Sequence, residues 1–160
     1  MPALMTADVG TGTFSLRRAT KADLPRILAL LIDDQLGAAR ENPDDLVPYE
    51  LAFDAIDGDP AHLLVVGELN GDLVATFQLS YLPGLSRKGS WRAQIEAVRV
   101  SEVLRGQGVG ALMIQRAIDQ ARDRGCSLVQ LTTDKSRVAA HRFYERLGFV
   151  ASHEGMKLTL

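Results

Sequence analysis

The stretch VRVSEVLRGQGVG, Val98 to Gly110, decides the fold. It begins as the end of a β-like run, Trp91 to Val100, and closes on glycines that open an amphipathic helical run from about Gln107 to Arg124. Arg105 to Gly110 is thus a strand-to-helix connection. Its glycines let the backbone approach a ligand closely, successive N–H groups point into the turn, and the helix N-terminus adds positive potential. Such a connection is suited to hold a phosphate.

Working outward, Met113, Ala117, Ile118 and Ala121 mark the buried side of the following helix, which Gly125 ends. Leu128, Val129 and Leu131 give a strand, and Val138, Ala139, Phe143 and Leu147 a last helix stopped by Gly148. Short strands are expected at Phe149 to Ala151 and Met156 to Leu160. Upstream, Trp91 to Val100 changes parity in its middle. Ile95 and Ala97 lie on one face and Val98 and Val100 on the other, which burial on both faces or a β-bulge explains. Leu63 to Leu69 and Leu73 to Tyr81 flank Asn70-Gly71, the dipeptide of tight hairpin turns. Phe14 to Arg18 alternates as a first strand, and Thr20 with Asp23 starts a helix through Leu24, Ile27, Leu28, Leu31 and Ile32. Pro48, Leu51, Phe53 and Ile56 predict a second helix that stops near Gly58. Residues 1–13 read as a flexible tail and 14–160 as a single domain. The fold class is mixed α/β (α+β).

The chain has 160 residues, 46% hydrophobic and 24% charged, which fits one globular domain. No apolar stretch approaches the roughly 18 residues that span a bilayer, and the first residues lack a basic start and an apolar block, so neither membrane insertion nor a secretory signal is expected. The one cysteine, Cys126, suits a reducing cytoplasm and reads as a small apolar residue opening a strand. Net charge is −2 with basic residues spread among acids, so no nucleic-acid partner is expected. His62 and His153 lack partners at metal spacing, and no metal is expected.

Two nucleotide motifs compete for the glycine loop. Gly106, Gly108 and Ala111 satisfy G-x-G-x-x-A with Asp134 ending the next strand, yet Ser101 to Arg105 intervene between strand and first glycine, and too little chain follows Asp134 for a doubly wound sheet. A Walker loop is excluded because no Gly-Lys-Ser/Thr is present.

The segment VRVSEVLRGQGVG resembles the acyl-CoA signature of the GCN5-related N-acetyltransferases (GNAT superfamily), Q/R-x-x-G-x-G/A, through Arg105, Gly108 and Gly110. AAHRFYERLGF resembles the second motif of that family through Ala140, Phe143, Tyr144, Gly148 and Phe149. The order of elements from residue 14 to 160 is also similar. The resemblance implies a largely antiparallel sheet of six or seven strands, splayed at the acyl-CoA site and flanked by about four helices. It also implies acetyl-CoA as co-substrate, with the backbone of Gln107, Gly108, Val109 and Gly110 holding the pyrophosphate and Arg105 as a basic contact. Backbone groups of Val98 and Val100 are the implied partners of the pantetheine arm. Arg137 stands where many members carry an asparagine; there it meets a CoA phosphate or lies exposed.

Acyl transfer from a thioester to an amine needs a neutral amine, a polarised carbonyl and a proton for the departing thiolate. The resemblance makes Tyr144 the acid, with ring packing as its alternative role, and gives carbonyl polarisation to the N–H of Val98. Glu96, mid-strand, is the general-base candidate; a partly buried carboxylate there has its pKa raised by desolvation, whereas a solvated strand residue has not. His141 reads as a helix-surface residue. The implied acceptor is a primary amine of a small molecule or peptide, attacked directly in a ternary complex, and a catalytically silent acyl-CoA sensor is the alternative. Asp33, Asp34, Glu41, Tyr49, Arg87, Lys88 and Trp91 fall in segments that line the acceptor side of this fold. Family habit alone points to a homodimer.

Overall fold

Alternation of apolar and polar residues builds a six-stranded sheet in the order β1 to β6. The computed structural model describes residues 3–33 and 35–160. The chain divides into two compact units, Met1–Gln130 and Leu131–Leu160.

In the first unit, β1 (Met5–Asp8) pairs antiparallel with β2 (Thr13–Arg18). Over the described residues 3–13 this corrects the flexible tail expected for 1–13. Gly10 and Gly12, at φ 70° and 150°, turn the chain back, and Val9 N–H donates to Gly12 O at 3.0 Å. The strand is held by its partner rather than by a core of its own, so its short sequence carries little signal. A 3₁₀ turn, Lys21–Asp23, leads into α1 (Leu24–Ile32). The Thr20 N–H and hydroxyl both donate to Asp23 Oδ2, at 2.7 and 2.9 Å, realising the expected cap. A short α2 (Gln35–Ala38) and α3 (Val47–Asp57) follow. Strands β3 (His62–Leu69) and β4 (Asp72–Pro83) form the expected hairpin, with Asn70 and Gly71 at φ 51° and 93°. A single turn, α4 (Ser86–Gly89), holds Arg87 and Lys88 in the left-handed region, at φ 55° and 62°, and leads into β5 (Trp91–Val100). The 15-residue α5 (Val109–Asp123) starts two residues later than expected and leads to β6 (Cys126–Leu131).

Side-chain contacts give the direction of β6. Ser127 Oγ donates to Trp91 O and Gln130 Nε2 to Gln94 Oε1, the same offset along both strands, so β6 runs parallel to β5 and α5 is the crossover between them. The sheet is antiparallel up to β5, as expected.

The two sheet faces bury different elements. Phe14, Leu16, Val65, Phe77, Leu79 and Ile95 share one face, and Arg124 at the end of α5 lies 5.1 Å from the Tyr81 ring centroid on that face. Val109, Met113, Ile114, Ala117 and Ala121 are the buried stripe of α5, including Ile114, which the helical pattern had not singled out. On the opposite face Val66 and Leu73 pack with Ala19, Leu24 and Ile27 around α1 and Phe53 of α3. Cys126 opens β6 half-buried, and burial pushes its thiol pKa up, as befits an apolar residue.

In the second unit, Asp134 Oδ1 accepts from the backbone N–H and the hydroxyl of Ser136, and Arg137 precedes α6 (Val138–Arg146) as its N-cap. Phe149 to Ala151 and Met156 to Leu160 are not strands, which corrects the expectation of two final strands. Met156, Leu158 and Leu160 alternate as a strand would, but they are exposed, and periodicity without a neighbouring strand leaves their backbone groups no ladder to join.

Candidate active site

A β-bulge in β5 shapes the centre of the first unit. Thr76 pairs with Arg99 and Gln78 with Glu96, so Phe77 alone on β4 faces both Ala97 and Val98. Ala97 takes the left-handed conformation, φ 52°. The extra residue restores parity: Ile95, Val98 and Val100 all come to the face that carries Phe77, and Glu96 and Arg99 to the other. The bulge, rather than burial on both faces, explains the broken alternation, and it overturns the placing of Ile95 opposite to Val98 and Val100.

Beyond the bulge the strand runs into the glycine loop. Ser101 N–H donates to Val74 O at 2.7 Å, a 3₁₀ turn follows at Glu102–Leu104, and Gly106 and Gly108 reverse the chain at φ 80° and 81°. The first helical bond of α5 is Leu112 N–H to Gly108 O, 3.1 Å, so the amides of Val109, Gly110 and Ala111 have no acceptor within the helix. A Cβ at Gly106 or Gly108 would meet open space within 4 Å. Several donors without helical acceptors, at the positive end of a 15-residue helix and beside two glycines with open space at their Cβ positions, fit a pyrophosphate. Gln107 is held on both sides: Nε2 donates to Val103 O at 2.9 Å, and Oε1 accepts from the Thr11 hydroxyl at 3.3 Å. Its N–H is taken by Leu104 O at 3.3 Å, which leaves the amides after it as the better donors. Arg105 is exposed, with Nη1 3.7 Å from Glu102 Oε1.

Glu96 is exposed, the solvated strand residue of the two alternatives. Glu96 lies outside the cluster that packs Val66 and Leu73 with Leu24 and Ile27 of α1 and Phe53 of α3. Around it the same face is polar. Gln78 sits opposite Glu96 and Ser80 opposite both His62 and Gln94. His62 Nδ1 is 2.8 Å from Ser80 Oγ, and its Nε2 lies 3.9 Å from Asp59 Oδ2. Sequence reading passed over this row. Its signal was polar residues at alternate positions, Gln78 and Ser80 on one strand, Arg92, Gln94 and Glu96 on the next.

A cavity of about 570 Å³ opens beside the start of the glycine loop, lined by Pro25, Arg26, Ala29, Asp33, Pro43 and Ser101 among others. Of the acceptor-side residues, Asp33 lines this cavity and Asp34 lies outside the described residues. Tyr49 donates its hydroxyl proton to Glu41 Oε2 at 2.9 Å, a structural tie between α3 and the segment before it. Arg87 and Lys88 are exposed on α4, and Trp91 begins β5.

In the second unit, Tyr144 on α6 packs edge-on against Phe143 and Phe149, with ring centroids 5.0 and 5.7 Å away. The ring is half-buried. Arg137 is half-buried at the helix start, where Asp134 O accepts its N–H at 3.0 Å. His141 Nε2 lies 3.1 Å from the same carbonyl, a local tie that suits a helix-surface residue. Among the described residues no group of three or more His, Cys, Asp or Glu is arranged to hold a metal ion, and no helix is long and apolar enough to cross a membrane.

Comparison with known proteins decides the lineage. A family model described as Acetyltransferase (GNAT) family matches residues 24–149. The chain belongs to this family. An aminoalkylphosphonate N-acetyltransferase of Salmonella typhimurium is 30% identical over 145 residues, covering 86% of each chain. An L-methionine sulfoximine/L-methionine sulfone acetyltransferase of Pseudomonas paraeruginosa is 30% identical, covering 86% of this chain and 81% of its own. Among solved structures, a Bacillus halodurans C-125 protein named as a transcriptional regulator is 44% identical with a TM-score of 0.88, over 92% of this chain and 99% of that one. The chain is accordingly a GNAT acetyltransferase, of a family that uses acetyl-CoA, and the two relatives above are named for small-molecule substrates.

Proposed function

We propose that this acetyltransferase moves the acetyl group of acetyl-CoA to a primary amine of a small molecule or peptide by direct attack in a ternary complex. The observation that carries the reading is the glycine loop, where the amides of Val109, Gly110 and Ala111 have no helical acceptor and the chain before them turns at Gly106 and Gly108, each with open space where a Cβ would stand. Val109 and Gly110, with Gly108 before them, hold the pyrophosphate, Gln107 stands beside them with its own N–H on Leu104 O, and Arg105 and Arg137 offer basic contacts. Backbone groups of Val98 and Val100 accompany the pantetheine arm. The bound co-substrate supplies the acyl thioester. Glu96 takes a proton from the acceptor ammonium, freeing the nitrogen lone pair, and Val98 N–H at the bulge polarises the acyl carbonyl. The C–N bond forms, the C–S bond breaks, and Tyr144 gives its phenolic proton to the leaving sulfur. The remaining proton released by nitrogen returns the phenol through solvent. Small polar amines are favoured over peptides, because the relatives named for phosphonate and sulfoximine substrates match most of the chain.

The reading is tested by thiol release from acetyl-CoA across a panel of amines, with Glu96→Gln and Tyr144→Phe beside the native chain. Loss of kcat by roughly a hundredfold or more in either variant is expected for general acid–base roles. Turnover near native in both would overturn the assigned chemistry while leaving the cofactor site intact. A second reading, an acyl-CoA-sensing module without turnover, is favoured by the name of the Bacillus halodurans structure. It predicts that acetyl-CoA raises Tm while no amine in the panel releases thiol.

A further inference from the structure

The exposed end of the β4–β5 face carries two charged side chains that pair with no other among the described residues. Arg92, Gln94 and Glu96 occupy alternate positions of β5 and so project from one face, opposite Leu82, Ser80 and Gln78 of β4. The uncharged members of this row satisfy one another: Ser80 bonds His62 at 2.8 Å, and Gln94 Oε1 accepts from Gln130 Nε2 at 2.6 Å. Among the described residues, the side chains of Arg92 and Glu96 make no ion pair or hydrogen bond. They do not pair with each other, because four residues of extended strand separate their Cα atoms by about 13 Å. Nor does Arg92 simply trail into water. It is half-buried, and its Nη1 lies 3.4 Å from where a Cβ of Gly84 would stand, at the close of β4. Arg99, the other cation of this face, lies across the bulge and donates from Nη1 to Val98 O at 2.9 Å.

We infer that this row reads an acceptor bearing an anionic group as well as its amine: Glu96 receives the ammonium, and Arg92 holds the anion further along the strand. The inference rests on the acetyltransferase reading above and gives that reading its substrate class. A planar guanidinium offers paired donors to a carboxylate, phosphate or phosphonate oxygen, which a lysine does not reproduce. The separation favours acids several bonds from the amine, and the neutral floor of Gln78, Ser80 and Gln94 favours polar groups between the two ends. Two solvated charges without a ligand are the competing account.

The experiment is a length series of ω-aminoalkyl phosphonates against alkylamines of equal length, assayed by thiol release with the native chain, Arg92→Gln and Arg92→Lys. In the native chain the ratio of kcat/KM, phosphonate over alkylamine, is expected to reach at least tenfold and to rise with chain length. Arg92→Gln should bring that ratio close to one, and Arg92→Lys should recover part of it. A general structural defect would lower both substrates alike, so an equal loss overturns the inference. A native ratio near one overturns it too, while turnover of both amines leaves the acetyltransferase reading standing. No turnover of any amine overturns both.

Discussion

Thr11, in the turn between β1 and β2, donates a hydrogen bond to the side-chain oxygen of Gln107 at 3.3 Å, so the N-terminal hairpin reaches the glycine loop. Asn70 braces that turn from behind, its Oδ1 accepting from Thr13 N–H at 3.1 Å. Removing the hydroxyl by Thr11→Val frees one side of Gln107. The KM for acetyl-CoA is expected to rise roughly twofold to tenfold, the worth of one ordinary hydrogen bond, while kcat moves little. Thr11→Ser should restore it. Steady-state kinetics at saturating amine checks the split, and an unchanged KM would show the contact to be incidental.

Gly108 stands at φ 81°, yet a Cβ there would touch nothing within 4 Å. Strain in a variant therefore comes from the backbone alone, about 1–2 kcal/mol for an ordinary residue in the left-handed region. Gly108→Val should lower stability by about that amount and abolish measurable acetyl-CoA binding, since its side chain fills the space before the helix amides. Gly108→Asn, a residue that tolerates this conformation, should regain the stability but not the binding. Denaturant melts and acetyl-CoA titration by calorimetry separate the two effects.

Features encoded within a few residues were legible in the sequence. Asn70-Gly71 names its hairpin because both residues accept positive φ, and the turn before α5 declares itself because Gly106 and Gly108 take positive φ. What needed a partner was not. The bulge at Ala97 and Val98 is a register event between two strands, so alternation along β5 alone misplaced Val98 and Val100 relative to Ile95. That Glu96 lies outside the cluster around α1 and α3 is not written along β5 either. The ties from His62 to Ser80 and from Gln94 to Gln130 arise only once the cross-strand pairs are known. Met156 to Leu160 shows the reverse error, a strand period without a strand beside it.

Asp23 is held by the Arg17 guanidinium, with bonds of 2.8 and 2.9 Å, and Arg17 also bonds Glu68. The hydrogen bonds from Arg17, reinforced by those from Thr20, lower the Asp23 pKa from 3.8 to about 2. A folded-state pKa below the unfolded one gives stability that is present above the unfolded value and is lost as pH falls through the folded one. The contribution is about 2 kcal/mol at neutral pH and fades between about pH 4 and pH 2. Asp23→Asn should therefore be less stable than the native chain at pH 7 and match it near pH 2. Urea denaturation across that range checks this, and a gap that persists unchanged to pH 2 would place the loss in packing.

Ala97 is the residue on which the bulge turns, with φ 52°, and Glu96 and Arg99 on either side of the Ala97–Val98 pair remain in register with Gln78 and Thr76. An alanine bears this conformation at a cost of about 1 kcal/mol or more, and a β-branched residue bears it worse. Ala97→Gly removes the strain but loosens the unfolded chain by a similar amount, so stability should stay within about 1 kcal/mol of native and turnover should persist. Ala97→Val should cost about 2 kcal/mol, or push the extra residue elsewhere in the strand. Such a shift would turn Val98 and Glu96 away from the roles proposed for them on the acyl carbonyl and the amine, so kcat should fall more than KM rises. If Ala97→Val were as stable and active as the native chain, the left-handed residue would not set the bulge, and the geometry that brings Glu96 to one face and Val98 to the other would need a different cause.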